Sequence, residues 1–200
     1  MTIPTLATLN LKESIVASKL LAKMVEERDF RPDCVLGIAR GGLLPAYEIS
    51  QYFGCDLKIL RVERPLTGLK RFLFLDHLPT TVKVFLRKME MRIGLYRSLE
   101  NRRISSSCSF DPNQKYLVVD DSLDTGKTVG STLDHLYEDG VVIENVLVVA
   151  LTQIFRDADP SAACTVYRDM NICFPWSNDS IENKKFKDYC LARPLLQHHL

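Results

Sequence analysis

The chain predicts an α/β fold, a mostly parallel twisted sheet flanked by helices, and three observations carry that expectation. Apolar runs of strand length alternate with segments of helical periodicity. Two of the strand-to-helix junctions, at 39–42 and 124–128, are short loops of glycine with charged or hydroxyl residues. The helical segments that follow these loops are stopped by Gly54 and Gly140, and each leads into another strand. Strand, helix and parallel strand in that order form right-handed βαβ units.

The elements follow in order. Asn10-Leu-Lys-Glu13 has the form of a capping box, and apolar residues at 11, 15, 16, 20, 21, 24 and 25 continue at helical spacing, so a first helix begins here. A strand at 34–38, a helix at 43–53 and a strand at 57–62 come next. Residues 63–114 are too long for a loop. Within them Val82, Phe85, Leu86, Met89, Ile93 and Tyr96 make one helical stripe interleaved with Lys83, Arg87, Lys88 and Arg92, which predicts a basic amphipathic helix packed on the body or on a second subunit. The run Tyr116 to Val119 reads as a buried strand ending at Asp120 and Asp121, and Thr128 opens a helix through 139. Val146 to Leu151 is an apolar strand, and shorter β-prone pieces lie near 164–167 and 171–174.

The chemistry concentrates in 116–128. Asp124, Thr125, Gly126, Lys127 and Thr128 can aim successive backbone N–H groups, two hydroxyls and a helix N-terminus at one dianion, and Gly126 permits close approach. Gly126-Lys127-Thr128 is also the tail of the nucleotide P-loop G-x-x-x-x-G-K-[ST], but that pattern needs glycine where Asp121 stands. A carboxylate there repels a triphosphate. Two carboxylates just before the loop instead suit the vicinal hydroxyls of a ribose whose 5′-phosphate sits in the loop. Upstream, Ala39-Arg40-Gly41-Gly42 is a second turn at a strand's C-terminal end, and ligands of open α/β sheets bind outside the carboxyl ends of the strands. Both loops are expected to face one site.

The segment Val118-Val119-Asp120-Asp121-Ser122-Leu123-Asp124-Thr125-Gly126-Lys127-Thr128 resembles the phosphoribosyl pyrophosphate (PRPP) signature of the type I phosphoribosyltransferases. Ala39-Arg40-Gly41-Gly42 resembles the pyrophosphate loop of the bacterial xanthine-guanine and hypoxanthine enzymes, in which the peptide before the basic residue can be cis. The resemblance spans roughly residues 33–178. It implies a single phosphoribosyltransferase domain over 1–200, with a lid or helical insertion at 63–114 and a small hood and tail at 163–200. It further implies Mg²⁺-dependent transfer of phosphoribose from PRPP to a nitrogenous base, of purine type, giving a nucleoside 5′-monophosphate and pyrophosphate, as in purine salvage. Asp120 and Asp121 would bind the ribose hydroxyls and reach the metal directly or through water or ribose. Residues 124–128 would hold the 5′-phosphate, with Asp124 also facing N7 of the base as the catalytic acid–base, and residues 39–42 would hold pyrophosphate. Tyr96 to Ser109, with Arg97, Arg102 and Arg103, is the candidate lid. A homodimer is the usual assembly among such proteins.

The base site departs from the pattern. Purine-salvage members place a lysine at the end of the strand after the central helix, whereas this strand ends Ala150-Leu151-Thr152-Gln153, leaving Gln153 to read the base. Asn171-Ile172-Cys173-Phe174-Pro175-Trp176 resembles the Trp-Ile-x-x-Pro-Trp segment, with Asn171 in place of the stacking aromatic. Ile172 is then a candidate for backbone contacts to the base, and Phe174 or Trp176 for the ring. These departures keep open a regulator that senses PRPP or a nucleotide on the same fold, or a transferase with an unusual acceptor.

With 46% hydrophobic and 26% charged residues the chain has material for one globular core, and a net charge of +1 excludes general attraction to nucleic acid or membranes. The start, Met-Thr-Ile-Pro-Thr-Leu-Ala, has no basic region followed by an apolar core, so a cytoplasmic location is expected. The cysteines at 34, 55, 108, 164, 173 and 190 lack metal-ligand spacing and read as reduced thiols, and His198 and His199 read as a solvated tail.

Overall fold

The computed structural model describes residues 5–63, 103–104, 109–154 and 162–200. The basic stripe at 82–96 and the lid candidate, apart from Arg103, Ile104 and Ser109, lie outside them. Described elements are β1 (Thr5–Thr8), α1 (Leu11–Glu26), β2 (Cys34–Ala39), α2 (Leu43–Phe53), β3 (Asp56–Glu63), β4 (Arg103–Ile104), β5 (Tyr116–Leu123), α3 (Lys127–Glu138), a 3₁₀ turn (Ile143–Asn145), β6 (Val146–Gln153), β7 (Cys164–Arg168), β8 (Met170–Cys173), α4 (Asn183–Leu191) and α5 (Pro194–Gln197).

The main sheet has the order β4-β3-β2-β5-β6-β7, parallel throughout except for β4, which pairs antiparallel with β3. Its strands are apolar on both faces because both are covered. Along β5, Leu117 and Val119 enter the core cluster beneath α1 and α2, while Tyr116 and Val118 enter the one beneath α3. β6 divides the same way, Val149 and Leu151 from Val148 and Ala150. Each strand thus supplies two cores by simple alternation.

The helix ends follow local chemistry. Asn10 Oδ1 accepts from Glu13 N at 3.0 Å and Glu13 Oε2 accepts from Asn10 N at 2.8 Å, closing the capping box that starts α1. Gly54, at φ 63°, takes the left-handed position that ends α2.

The two chain ends meet in a separate small sheet, in which β1 runs parallel to β8. After β8 the chain does not trail into solvent. α4 and α5 place Phe186, Cys190 and Leu196 in the core under α1 and α2, each with no exposed surface. Arg61 Nη2 donates to the His198 carbonyl at 2.9 Å. The expectation of a solvated tail holds for the exposed His198 side chain, while His199 is half-buried, Leu196 is buried in the turn before them and Arg61 holds the His198 carbonyl.

Tyr189 on α4 donates its hydroxyl to Glu48 on α2, and Lys19 on α1 lies 3.7 Å from the other Glu48 oxygen. The Arg193 guanidinium covers the Tyr189 ring 3.4 Å from its centroid. Burial, then the carboxylate beside it, pushes the Tyr189 phenol well above its usual range, so it stays a donor. Among the described residues no helix is long and apolar enough to cross a membrane. The five described cysteines are free, and burial raises Cys34 to about 12 and Cys55 and Cys190 to about 11, which leaves these three as unreactive thiols.

Candidate active site

Ala39 and Arg61 are neighbours at the carboxyl ends of β2 and β3, and Leu123 and Gln153 at those of β5 and β6. The loops that leave these ends define one rim of the sheet.

The first loop turns sharply. The Ala39–Arg40 peptide is cis. Gly42 N donates to Ile38 O at 2.7 Å and Ala46 N to Gly42 O at 2.9 Å, so the chain passes directly from strand to helix. Arg40 is exposed at the turn. A Cβ on Gly42 would lie 2.5 Å from the Val119 carbonyl oxygen, and one on Gly41 would fall on the carboxyl group of Asp121. Glycine is required at both positions because β5 and its acid occupy the space.

The second loop differs from its sequence-based description in one respect. β5 does not stop at Val119. Hydrogen-bonded pairing with β6 continues through Asp120↔Ala150, Ser122↔Thr152 and Leu123↔Gln153, so the backbone ladder carries the strand past the point where apolar side chains cease. Asp120 and Asp121 therefore sit within a rigid strand. Asp124 to Gly126 make the turn, Gly126 at φ 79° caps α3, and the helix opens at Lys127, one residue before the expected start. Thr125 is exposed, Asp124, Lys127 and Thr128 are half-buried, and Gly126 is buried. The N-terminus of α3 lies at the same rim, which brings the positive end of its dipole there.

Asp121 is the meeting point. Asp121 N donates to Asp120 Oδ1 at 2.9 Å, and the Trp176 indole N–H donates to Asp121 Oδ2 at 2.5 Å. Burial raises the Asp121 carboxyl above its ordinary value. The Trp176 bond, the Asp120 side chain and backbone amides of Ser122 and Asp121 oppose that rise.

The C-terminal aromatics are closed to an incoming ring. Phe174 and Trp176 are 2% and 6% exposed and stack on each other at 4.7 Å with planes 6° apart. Trp176 also packs on Phe186. The expectation that either offers a face to a base is corrected: those faces are covered by other aromatics and by the core. Gln153 is buried at the end of β6 and level with Leu123, one residue short of Asp124. Ile172 is buried in β8, level with Ala7 of β1, and Asn171 is exposed. Thr152 Oγ1 donates to Met170 O at 2.9 Å, which ties β8 to the end of β6.

The Trp176–Asp121 bond was not anticipated from the sequence. The available signal was a lone tryptophan in an otherwise apolar segment, since a buried indole N–H requires an acceptor.

No protein-family model matches the chain, and a comparison with curated proteins finds no match. Solved structures do match. A purine phosphoribosyltransferase from Pyrococcus horikoshii Ot3 superposes with a TM-score of 0.62 at 22% identity, over 88% of this chain and 97% of that one. The chain has the type I phosphoribosyltransferase fold. The xanthine-guanine-hypoxanthine phosphoribosyltransferase of Helicobacter pylori gives a TM-score of 0.61 at 16% identity, over 90% of this chain and 99% of that one. A hypothetical protein from Neisseria gonorrhoeae, solved with bound ppGpp, gives 0.58 at 15% identity, over 99% and 98%. In this fold, the rim formed by 39–42, 120–128 and 153 is the carboxyl edge of the sheet, where two loops and a buried acid converge.

Proposed function

We propose that the protein is a phosphoribosyltransferase that moves phosphoribose from PRPP to a nitrogenous base of the purine class, releasing pyrophosphate. The observation that carries this reading is the contact between the first loop and the acid of β5 that precedes the second. Gly41 lies against the Asp121 carboxyl so closely that no side chain fits between them, and this closeness supports a pyrophosphate held by 39–42 next to a ribose held by 120–121.

In this reading residues 124–128 and the start of α3 hold the 5′-phosphate through backbone N–H groups, the Thr125 and Thr128 hydroxyls and the Lys127 charge. Asp120 and Asp121 take the ribose hydroxyls. The bond from C1 to the pyrophosphate oxygen breaks with its electron pair going to pyrophosphate, and a ring nitrogen of the base forms the new bond to C1. Arg40 and the Gly41 and Gly42 amides stabilise the departing anion. Asp124 takes or shares the proton of the base. Gln153, beside it, and the backbone of Ile172 are assigned to the base edge. Holding three groups in line is most of the catalysis.

Asp120 and Asp121 also fit Mg²⁺, which binds through one or two carboxylates and substrate oxygens, and among the described residues there is no cluster of three or more protein ligands. When bound, the ion would neutralise charge on the pyrophosphate.

A second reading is favoured by the likeness to the ppGpp-bound protein along nearly its whole length. The same rim would then sense a guanine nucleotide bearing pyrophosphate. Pyrophosphate release from PRPP with Mg²⁺, across hypoxanthine, guanine, xanthine, adenine, uracil, orotate and simple amines, decides between them. Release with a purine supports the transferase. Binding of ppGpp without release with any acceptor overturns it in favour of the sensor. In the transferase, Asp124→Asn lowers turnover about a hundredfold, within the usual range for a lost acid–base group, and changes PRPP affinity little. Unchanged turnover would remove Asp124 from this role.

A further inference from the structure

Two features at Asp121 have no place in the reaction as assigned. The indole of Trp176 is spent on one carboxylate oxygen, and the aromatic layer around that indole is sealed on both faces. Filling volume does not by itself call for an indole, which when buried must find an acceptor, because a phenylalanine can also pack against Phe174 and Phe186. A buried carboxyl, for its part, turns about its χ2 bond unless something fixes it. Besides the local bonds from the Asp120 side chain and the Ser122 and Asp121 amides, the backbone of Gly41 confines Asp121 and the Trp176 N–H takes Oδ2. These last two restraints come from distant parts of the sequence.

We propose that Trp176 is a positioning residue for the phosphoribosyl site: its indole N–H fixes the rotation of the Asp121 carboxyl and so determines which oxygen meets the ribose. The proposal rests on the transferase reading and extends it to a residue that touches no substrate. It also gives the C-terminal segment a task. Phe186 on α4 packs on Trp176, and α4 is anchored to α2 by Tyr189 and Glu48. α2 in turn begins at Gly42 of the pyrophosphate loop. The restraint on Asp121 is therefore set in the same frame as the loop that confines its other side. A hydrogen bond to a charged group that is lost without loss of packing typically weakens the function it supports by about tenfold to a hundredfold.

The chain contains one tryptophan, so growth on 3-benzothienyl-alanine replaces the indole N–H of Trp176 alone by a sulfur of nearly the same shape. Trp176→Phe is the genetic counterpart. PRPP affinity by calorimetry and KM and kcat by pyrophosphate release are measured for each, then repeated in Asp121→Ala and Thr128→Ala backgrounds. The expected result is PRPP affinity about tenfold or more weaker in both replacements. That effect should vanish in Asp121→Ala and persist in full in Thr128→Ala, as a coupled pair requires. A structural role predicts equal losses in both backgrounds. Equal affinity for the indole and benzothienyl forms overturns the proposal and leaves the transferase reading standing. Failure of the unmodified protein to bind PRPP overturns both.

Discussion

Gly41 and Asp121 illustrate how a single missing Cβ can matter more than any charge in a site. Gly41→Ala places its methyl on the Asp121 carboxyl, so either the acid leaves the Trp176 N–H or the loop moves. Overpacking of this kind costs about 1–3 kcal/mol. The expected outcome is a folded variant with a lower Tm and at least tenfold slower pyrophosphate release, since about 1.4 kcal/mol corresponds to tenfold. A variant with wild-type kinetics would show that the contact does not position the acid. Asp121 itself is held in its native place against its own electrostatics. Because its carboxyl is raised in the folded state, the native chain binds the proton more tightly than the unfolded chain does. Stability contributed at this residue is therefore lost as pH rises from the ordinary value of 3.8 through the raised one. Asp121→Asn keeps an acceptor for Trp176 and removes the buried charge. Its Tm should match wild type at low pH and exceed it near neutrality, while PRPP binding falls; a Tm difference independent of pH would contradict the burial argument. In the sequence, adjacency to a glycine-rich anion loop was enough to nominate Asp120, Asp121 and Asp124. It could not show that a residue 55 positions away supplies the donor, because pairings at that range are set by tertiary packing.

Among the elements, those with both a periodic pattern and a punctuation residue were legible almost to the residue: α1 with its Asn10 cap, α2 with Gly54, α3 with Gly126 and Gly140. β5 outran its apolar run because strand length follows the neighbour β6, which side-chain hydropathy does not reveal. α4 escaped notice for the opposite reason. Asn183–Leu191 is mostly charged and polar, and the residues it buries are Phe186 and Cys190, one turn apart, with Tyr189 packed partly against the core. Its attachment depends correspondingly on the Tyr189–Glu48 bond. Tyr189→Phe leaves a buried carboxylate facing Lys19 alone and should cost about 1–3 kcal/mol. For a chain of this size that is about 2–4 °C of Tm per kcal/mol, with the ring under Arg193 preserved. A Tm unchanged within about a degree would mean that packing alone secures α4.

At the scale of the whole molecule, alternating strands and glycine-stopped helices specified the parallel sheet, and the order of the two loops placed them on one rim. The small hood was expected from the family resemblance rather than from any local pattern, since β1 and β8 are four residues each and meaningful only as a pair. Because the rim draws on segments from 39 to 176, ligand should protect it as a unit. Hydrogen exchange with PRPP bound is expected to slow at 40–43, 121–129 and 174–177 together, with little change at the opposite ends of β2 and β5. Protection confined to 124–129 would instead describe an isolated phosphate loop. The hydrogen bond between Trp176 and Asp121 also gives the protein its own optical gauge. With a single indole in the chain, all tryptophan emission originates at the carboxyl that the ribose would engage. A shift in the colour or lifetime of that light on adding PRPP would report occupancy in the unlabelled protein, with no acceptor, product or coupled assay needed.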